Sequence, residues 1–194
     1  MAFLDNLNNY QIILASQSPR RQNLLKELNI RFDILTKDIE EIYPDHLVRE
    51  DIALYLAELK ASAFDQDIQE NQLIITADTI VWVNDHILGK PTNYENAFAM
   101  VETLSGNKHT VYTGVCLKLK NKQKSFYAST DVFFRKLDTT EIKYYLNTYK
   151  PFDKAGSYGI QEWIGYIGIE KINGSYFNVM GLPIQKLYDE LKRL

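Results

Sequence analysis

The sequence predicts an α/β fold with a mixed, twisted sheet flanked by helices. Two observations lead there. Segments that read as strands are interspersed with segments of helical period along the whole chain. Two long strand-like runs, Thr110 to Lys120 and Ser125 to Leu137, are separated only by Asn121-Lys122-Gln123-Lys124. So short a connection makes an antiparallel hairpin.

The elements follow in order. Gln11 to Ala15 is a short apolar strand, and Pro19 to Leu28 a helix with Leu24, Leu25 and Leu28 on one face. Ser18 can cap that helix, and Pro19 suits its first position. Arg31 to Leu35 reads as a second strand. Leu47 to Asp67 is a long helix whose Val48, Ile52, Leu56, Leu59 and Ala63 form one apolar stripe. Leu73 to Ala77 and Ile80 to Val83 read as strands interrupted by Asp78-Thr79. Asn93 to Leu104 is helical and stops before Ser105-Gly106. After the hairpin, Thr140 to Thr148 is helical, Lys150 to Gln161 a glycine-containing loop, Ile164 to Ile172 a strand, and Pro183 to Leu194 a closing helix. Ser105-Gly106 and Thr113-Gly114 read as turn and bulge punctuation. Residues 1–194 are expected to form one domain, with residues 1–10 a short N-terminal extension.

Composition narrows the function. A chain of 194 residues with 45% hydrophobic residues can bury a sizeable core. A net charge of −3 argues against a nucleic-acid or anionic-membrane surface, so any grip on an anion rests on a few local cations. The lone Cys116 excludes an internal disulfide and a cysteine-based zinc site. His46, His86 and His109 show no paired ligand spacing and read as surface or loop residues. No apolar run approaches a membrane span, and Met1 to Tyr10 lacks the basic run of a signal peptide. The expected compartment is the cytoplasm.

Several segments carry chemistry. In Ala15-Ser16-Gln17-Ser18-Pro19-Arg20-Arg21, two arginines stand at a helix start, where the macrodipole already presents positive charge. An anion between them removes the conflict, and Ser16, Arg20, Arg21 and the free N–H groups make a phosphate cradle. The alternative is a pair of solvated arginines. Asp78 lies between apolar runs, where a carboxylate needs a cation, a metal or hydrogen bonds; the alternative is a turn aspartate. Lys60 lies at the edge of the long helix's buried stripe. Lys90, before Pro91, is on a loop, and Gly89-Lys90 is no Walker A sequence. Either lysine alone is also a plain solvated charge. Glu40-Glu41 can hold a divalent cation through oxygen or be a charged loop. In Asp153 to Gln161, two glycines let backbone approach a ligand, and Gln161 offers both a donor and an acceptor to a base edge.

Taken together and in this order, these segments resemble the Maf family of nucleoside triphosphate pyrophosphatases. The matching pieces are Ile13 to Arg21, Ala77 to Val81, Ile87 to Pro91, Leu104 to Val115, Asp153 to Gln161 and Gly174 to Pro183. The resemblance implies a Maf/inosine triphosphatase-like fold of two lobes with a central cleft, dependence on Mg²⁺ or Mn²⁺, and release of pyrophosphate. Asp78 matches the family's proton acceptor. Arg20, Thr79 and Gln161 match positions associated with substrate choice, and Glu41, Lys60 and Lys90 its charged cleft residues. On this reading Glu41 and Asp78 hold the metal, and Ser16, Arg21, Lys60 and Lys90 bind phosphate.

The branch acting on 7-methylguanosine triphosphate has Trp after the Ser-Pro and Ser-Asp-Gln in place of Ala-Asp-Thr. This chain has Arg20, Ala77-Asp78-Thr79 and Gly159-Ile160-Gln161, so it looks like the dTTP/UTP branch. It departs from the pattern at Lys150, where a Glu is common, and in the residues that precede the first strand. The resemblance suggests a homodimer, and a nucleoside triphosphate as the partner rather than nucleic acid or membrane. Two readings compete with the enzyme. One is a nucleotide-binding regulator of cell division with little catalysis. The other is a DNA-binding protein using Ser18 to Arg21, which the net charge opposes.

Overall fold

A computed structural model describes residues 4–194. Its seven strands form one mixed sheet in the order β2-β1-β3-β5-β6-β7, with β4 paired to β3. In sequence these are β1 (Gln11–Leu14), β2 (Asp33–Ile34), β3 (Gln72–Val83), β4 (His86–Leu88), β5 (Lys108–Lys118), β6 (Gln123–Phe134) and β7 (Ile169–Asn173). The helices are α1 (Pro19–Lys26), α2 (Glu50–Ser62), α3 (Tyr94–Leu104), α4 (Thr139–Tyr149), α5 (Trp163–Gly168), α6 (Tyr176–Val179) and α7 (Ile184–Leu191).

The chain divides into two compact units. The first comprises the residues up to Asp78, Thr113–Ala128 and Gly181–Leu194. In it β1 runs parallel to both β2 and β3, with Ile13 opposite Asp33 and Leu14 opposite Ile75. The β5–β6 hairpin closes with the Leu119 N–H donating to the Lys122 carbonyl at 2.8 Å. Of the expected N-terminal extension, residues 1–3 lie outside the described residues, and residues 4–10 contact this unit. Leu4 and Leu7 are buried, and the Asn6 side chain donates to the Leu191 carbonyl at 2.8 Å.

The second unit comprises Thr79–Tyr112 and Ser129–Met180. Its core gathers Val81, Val101, Leu104, Val132, Phe134 and Tyr145 under α3, α4 and the strands. β7 lies antiparallel to β6, with Asp131 opposite Asn173.

Several expectations change. The interruption at Asp78-Thr79 does not exist, because β3 is one continuous strand through both residues. β4 follows through Asn84 and Asp85, both with positive φ (49° and 59°), the tight hairpin turn that such residues tolerate. The run Ile164 to Ile172 splits: α5 ends at Gly168 before β7 begins at Ile169. Ser18 makes no side-chain cap; instead its own N–H donates to the Ser16 hydroxyl at 3.2 Å.

The buried stripe of α2 also differs from the expected one. It consists of Ile52, Ala53, Leu56, Ala57 and Ala61, while Val48 precedes the helix and is exposed. Alanines add little to a hydrophobic stripe, yet their small size lets this helix lie close on the sheet. Gly114 is set by a close approach. It stands inside β5, where a Cβ would meet the Ala53 carbonyl oxygen at 2.3 Å. Finally, His109 is no surface residue: it is 1% exposed within β5. His46 and His86 are exposed.

Candidate active site

Two periodicities meet at the site in the first unit. Alternate residues of a strand share a face, so Thr76 and Asp78 face the same way along β3. On α2, Ala53, Ala57 and Lys60 are four and three residues apart and share a face. The two rows oppose each other. The Thr76 hydroxyl donates to the Ala57 carbonyl at 2.6 Å, and one turn on, the Lys60 ammonium bonds the Asp78 carboxylate. Ala53, at the other end of the row, rests against Gly114. Asp78 is 8% exposed, so its carboxylate is held by this cation rather than by bulk water.

Lys60 also reaches Glu41, 2.9 Å away, from the exposed segment between β2 and α2. One ammonium therefore joins two carboxylates that lie 37 positions apart in sequence, by the difference of their residue numbers. Arg21 adds a second cation. Its Nε donates to the Gly181 carbonyl at 2.7 Å and an Nη to the Ala77 carbonyl at 2.8 Å, tying α1 to the strand residue that precedes Asp78. Burial pulls the Arg21 guanidinium below its ordinary value. The Asp78 charge opposes that shift, Arg20 adds to it and Glu41 opposes it. Ser16 is buried beside the start of α1, and its backbone carbonyl accepts from the Gln22 side chain at 3.2 Å. Six of the expected residues, Ser16, Arg20, Arg21, Glu41, Lys60 and Asp78, thus belong to this unit.

Thr79, Lys90 and Gln161 belong to the second. Thr79 follows Asp78 in β3, so its side chain leaves the opposite face of the strand. Lys90 is exposed just past β4. The Gly156 N–H donates to the Gly89 carbonyl at 3.0 Å, which ties the Lys90 segment to the loop carrying Gln161. That loop turns through Gly156 at φ 68°, where a side chain would press on Val81 at 3.0 Å. The Oε1 of Gln161 is buried with no hydrogen-bond partner, an acceptor left unused.

Glu41 and Asp78 are a donor set suited to a divalent cation that keeps other oxygen ligands. Mg²⁺ is commonly held by one or two carboxylates together with substrate phosphates. Among the described residues, no group of three or more His, Cys, Asp and Glu side chains gathers into a cage.

The sequence reading passes over Thr76 and takes Gly114 only as punctuation, whereas both contact the backbone of α2. Their signal was present as small or hydroxylated residues inside otherwise apolar strands. Among the described residues, no helix is long and apolar enough to cross a membrane.

The profile of the family described as Maf-like protein matches residues 11–194. The chain belongs to the Maf family. A Maf relative from Parabacteroides distasonis, named dTTP/UTP pyrophosphatase, is 55% identical over 190 residues, 97% of this chain and 98% of that one. One of the same name from Phocaeicola vulgatus is 56% identical over 192 residues, covering 98% and 100%. A third, from Flavobacterium psychrophilum, is 56% identical over 180 residues, covering 93% and 92%. Among solved structures, that of the Staphylococcus aureus Ham1 protein aligns with a TM-score of 0.44 at 18% identity, covering 64% of this chain and 71% of that one.

Proposed function

We infer that this chain hydrolyses dTTP and UTP to the nucleoside monophosphate and pyrophosphate, removing these triphosphates from the cytoplasmic pool. The observation that carries the reading is the full-length similarity to proteins of that name, 55% and 56% identical. The geometry around Asp78 supports it chemically.

In the proposed reaction, water attacks the α-phosphorus and the bond to the β-phosphate oxygen breaks. Asp78 accepts the water's proton, and the electron pair of the broken bond leaves with pyrophosphate. Lys60 fixes the carboxylate's position through its ion pair. Arg20, Arg21 and Lys90 oppose charge that builds on the phosphates, and Ser16 adds a hydroxyl to the same cradle. Glu41 and Asp78 would hold Mg²⁺ or Mn²⁺, which when bound neutralises part of the polyanion. Gln161, Thr79 and Arg20 select the base. Gln161 has the chemistry for it, since its unpartnered Oε1 accepts and its amide donates.

Incubation with UTP or dTTP and Mg²⁺, followed by chromatographic separation of products, tests the reading. The expected products are the monophosphate and pyrophosphate, with turnover nearly abolished in Asp78→Asn. Diphosphate and inorganic phosphate would mean that a different bond is cut. Bound nucleotide without turnover would favour the regulator.

A further inference from the structure

The loop from Asp153 to Gln161 is stiffened by charges that the proposed reaction does not use. Lys154 is only 8% exposed, unusual for a lysine. Its ammonium lies 3.0 Å from Glu162 Oε1 and 2.8 Å from the Asp153 carboxylate. The other Glu162 oxygen accepts from the hydroxyl of Tyr145, a fully buried residue of α4. That hydroxyl in turn accepts the Gly159 N–H at 3.0 Å. Both carboxylate oxygens of Glu162 and both capacities of the Tyr145 hydroxyl are therefore engaged.

The backbone is shaped to suit this cluster. A Cβ on Gly159 would stand 2.8 Å from the Glu162 carboxyl carbon, so only glycine lets the carboxylate lie there. The Glu162 N–H donates to the Gly159 carbonyl at 3.0 Å, and the Gly165 N–H to the Glu162 carbonyl at 2.8 Å. Gln161 sits inside this short closed turn, between the two residues that it ties together. Burial and the Glu162 carboxylate raise the Tyr145 hydroxyl above its ordinary value, which keeps it a donor into the alkaline range.

We propose that Glu162, Lys154 and Tyr145 are positioning residues that fix the Gln161 amide for base selection. The inference rests on the reading of Gln161 as a base-reading residue. Its logic is preorganisation: an acceptor already held in place discriminates a hydrogen-bonding base edge more sharply than a mobile one. UTP and CTP differ only at that edge, so the ratio of their kcat/KM values reads the position of the amide.

The experiment measures kcat and KM for UTP and CTP, with thermal midpoints, on the full chain and four variants. Glu162→Gln and Tyr145→Phe are expected to lower the UTP preference by about tenfold, mainly through KM for UTP. Gln161→Ala is expected to lower it at least as far. The double variant Lys154→Met/Glu162→Gln also removes the buried ammonium that Glu162→Gln leaves with only the exposed Asp153 as partner, so the thermal midpoint recovers while the preference stays low.

A preference that recovers with the midpoint would show that the cluster acts only through stability, and would overturn the inference. So would an unchanged preference in Glu162→Gln and Tyr145→Phe while Gln161→Ala loses it. If the wild type shows no preference, or Gln161→Ala keeps it, the reading of Gln161 falls and the inference falls with it. Tyr145→Phe keeps the proposal testable should Glu162→Gln fail to fold.

Discussion

Gly114 leaves room for the backbone of Ala53: a Cβ at that position of β5 would lie 2.3 Å from the Ala53 carbonyl oxygen and 2.6 Å from the Leu54 nitrogen. These are main-chain atoms of α2, so the neighbour cannot rotate away as a side chain would. Substituting Gly114→Ala therefore has to displace the helix that carries Lys60. The expected loss is about 1–3 kcal/mol of stability, with kcat/KM falling further than the stability loss explains. Urea denaturation and pyrophosphate release, measured on the same preparation, check both. A variant with unchanged turnover would show that α2 tolerates the shift.

Lys60 joins Asp78 and Glu41, and its side chain and that of Asp78 are only 18% and 11% exposed. Lys60→Met leaves a mostly buried carboxylate without its cation. The expected fall in kcat/KM is roughly 100-fold, the scale for losing one preorganised charge partner. Lys60→Arg should recover only part of it, because a planar guanidinium cannot occupy the place of a compact ammonium. Steady-state pyrophosphate release checks the order wild type, arginine variant, methionine variant.

His109 is neutral at ordinary pH, held down to about 3 chiefly by burial, with the Asp131 charge opposing. Its Nε2 lies 2.7 Å from the Tyr158 hydroxyl. The unfolded chain regains the ordinary value near 6.5 and so binds more protons between about pH 3 and 6.5. Stability from this residue is thus fully present above that window and is lost as pH falls through it. The slope is at most about 1.4 kcal/mol per pH unit. Denaturation midpoints at about pH 4.5, 5.5 and 7 should show a steeper acid loss in wild type than in His109→Phe. Equal slopes would mean that other groups control acid sensitivity.

Cys116 packs against Ala57 and Ala61, and burial pushes its thiol up to about 11. A thiol so placed is mostly protonated and shielded near pH 8. Maleimide should label the native protein slowly and the urea-unfolded protein at once. Rapid native labelling would show that α2 lifts from the sheet.

The sequence made most of the architecture legible, because apolar periodicity is local. The hairpin, the helix starts at Pro19 and Asn93, and the mixed sheet all follow from short spacings. What it concealed depends on contacts between distant residues. Asp78 and Thr79 looked like a break because a carboxylate in a buried strand is disfavoured until Lys60, from another element, compensates it. The Ala53, Ala57 and Lys60 row on α2 was overlooked because alanine scores weakly as a core residue, though close approach is what the helix requires. Lys154 and Glu162 carry no local signal, because their partner Tyr145 stands on α4 and only the fold brings it alongside. Ser16, Arg21 and Gln161 are legible from residue type, local placement and the family resemblance, but only the fold reveals which of their atoms are already engaged.

The continuity of β3 has a bearing on which sequence lengths can work. A strand counts in twos, so inserting or deleting one residue between Gln72 and Asp78 would exchange the faces reached by Asp78 and Thr79. An insertion of two would restore the face but carry the carboxylate about 6.6 Å along the strand, past the ammonium of Lys60. Substitutions in this stretch can be absorbed one at a time, whereas changes in its length cannot. The distance from the start of β3 to Asp78 acts as a fixed ruler, and drift in this protein should show itself as altered letters there and never as altered spacing.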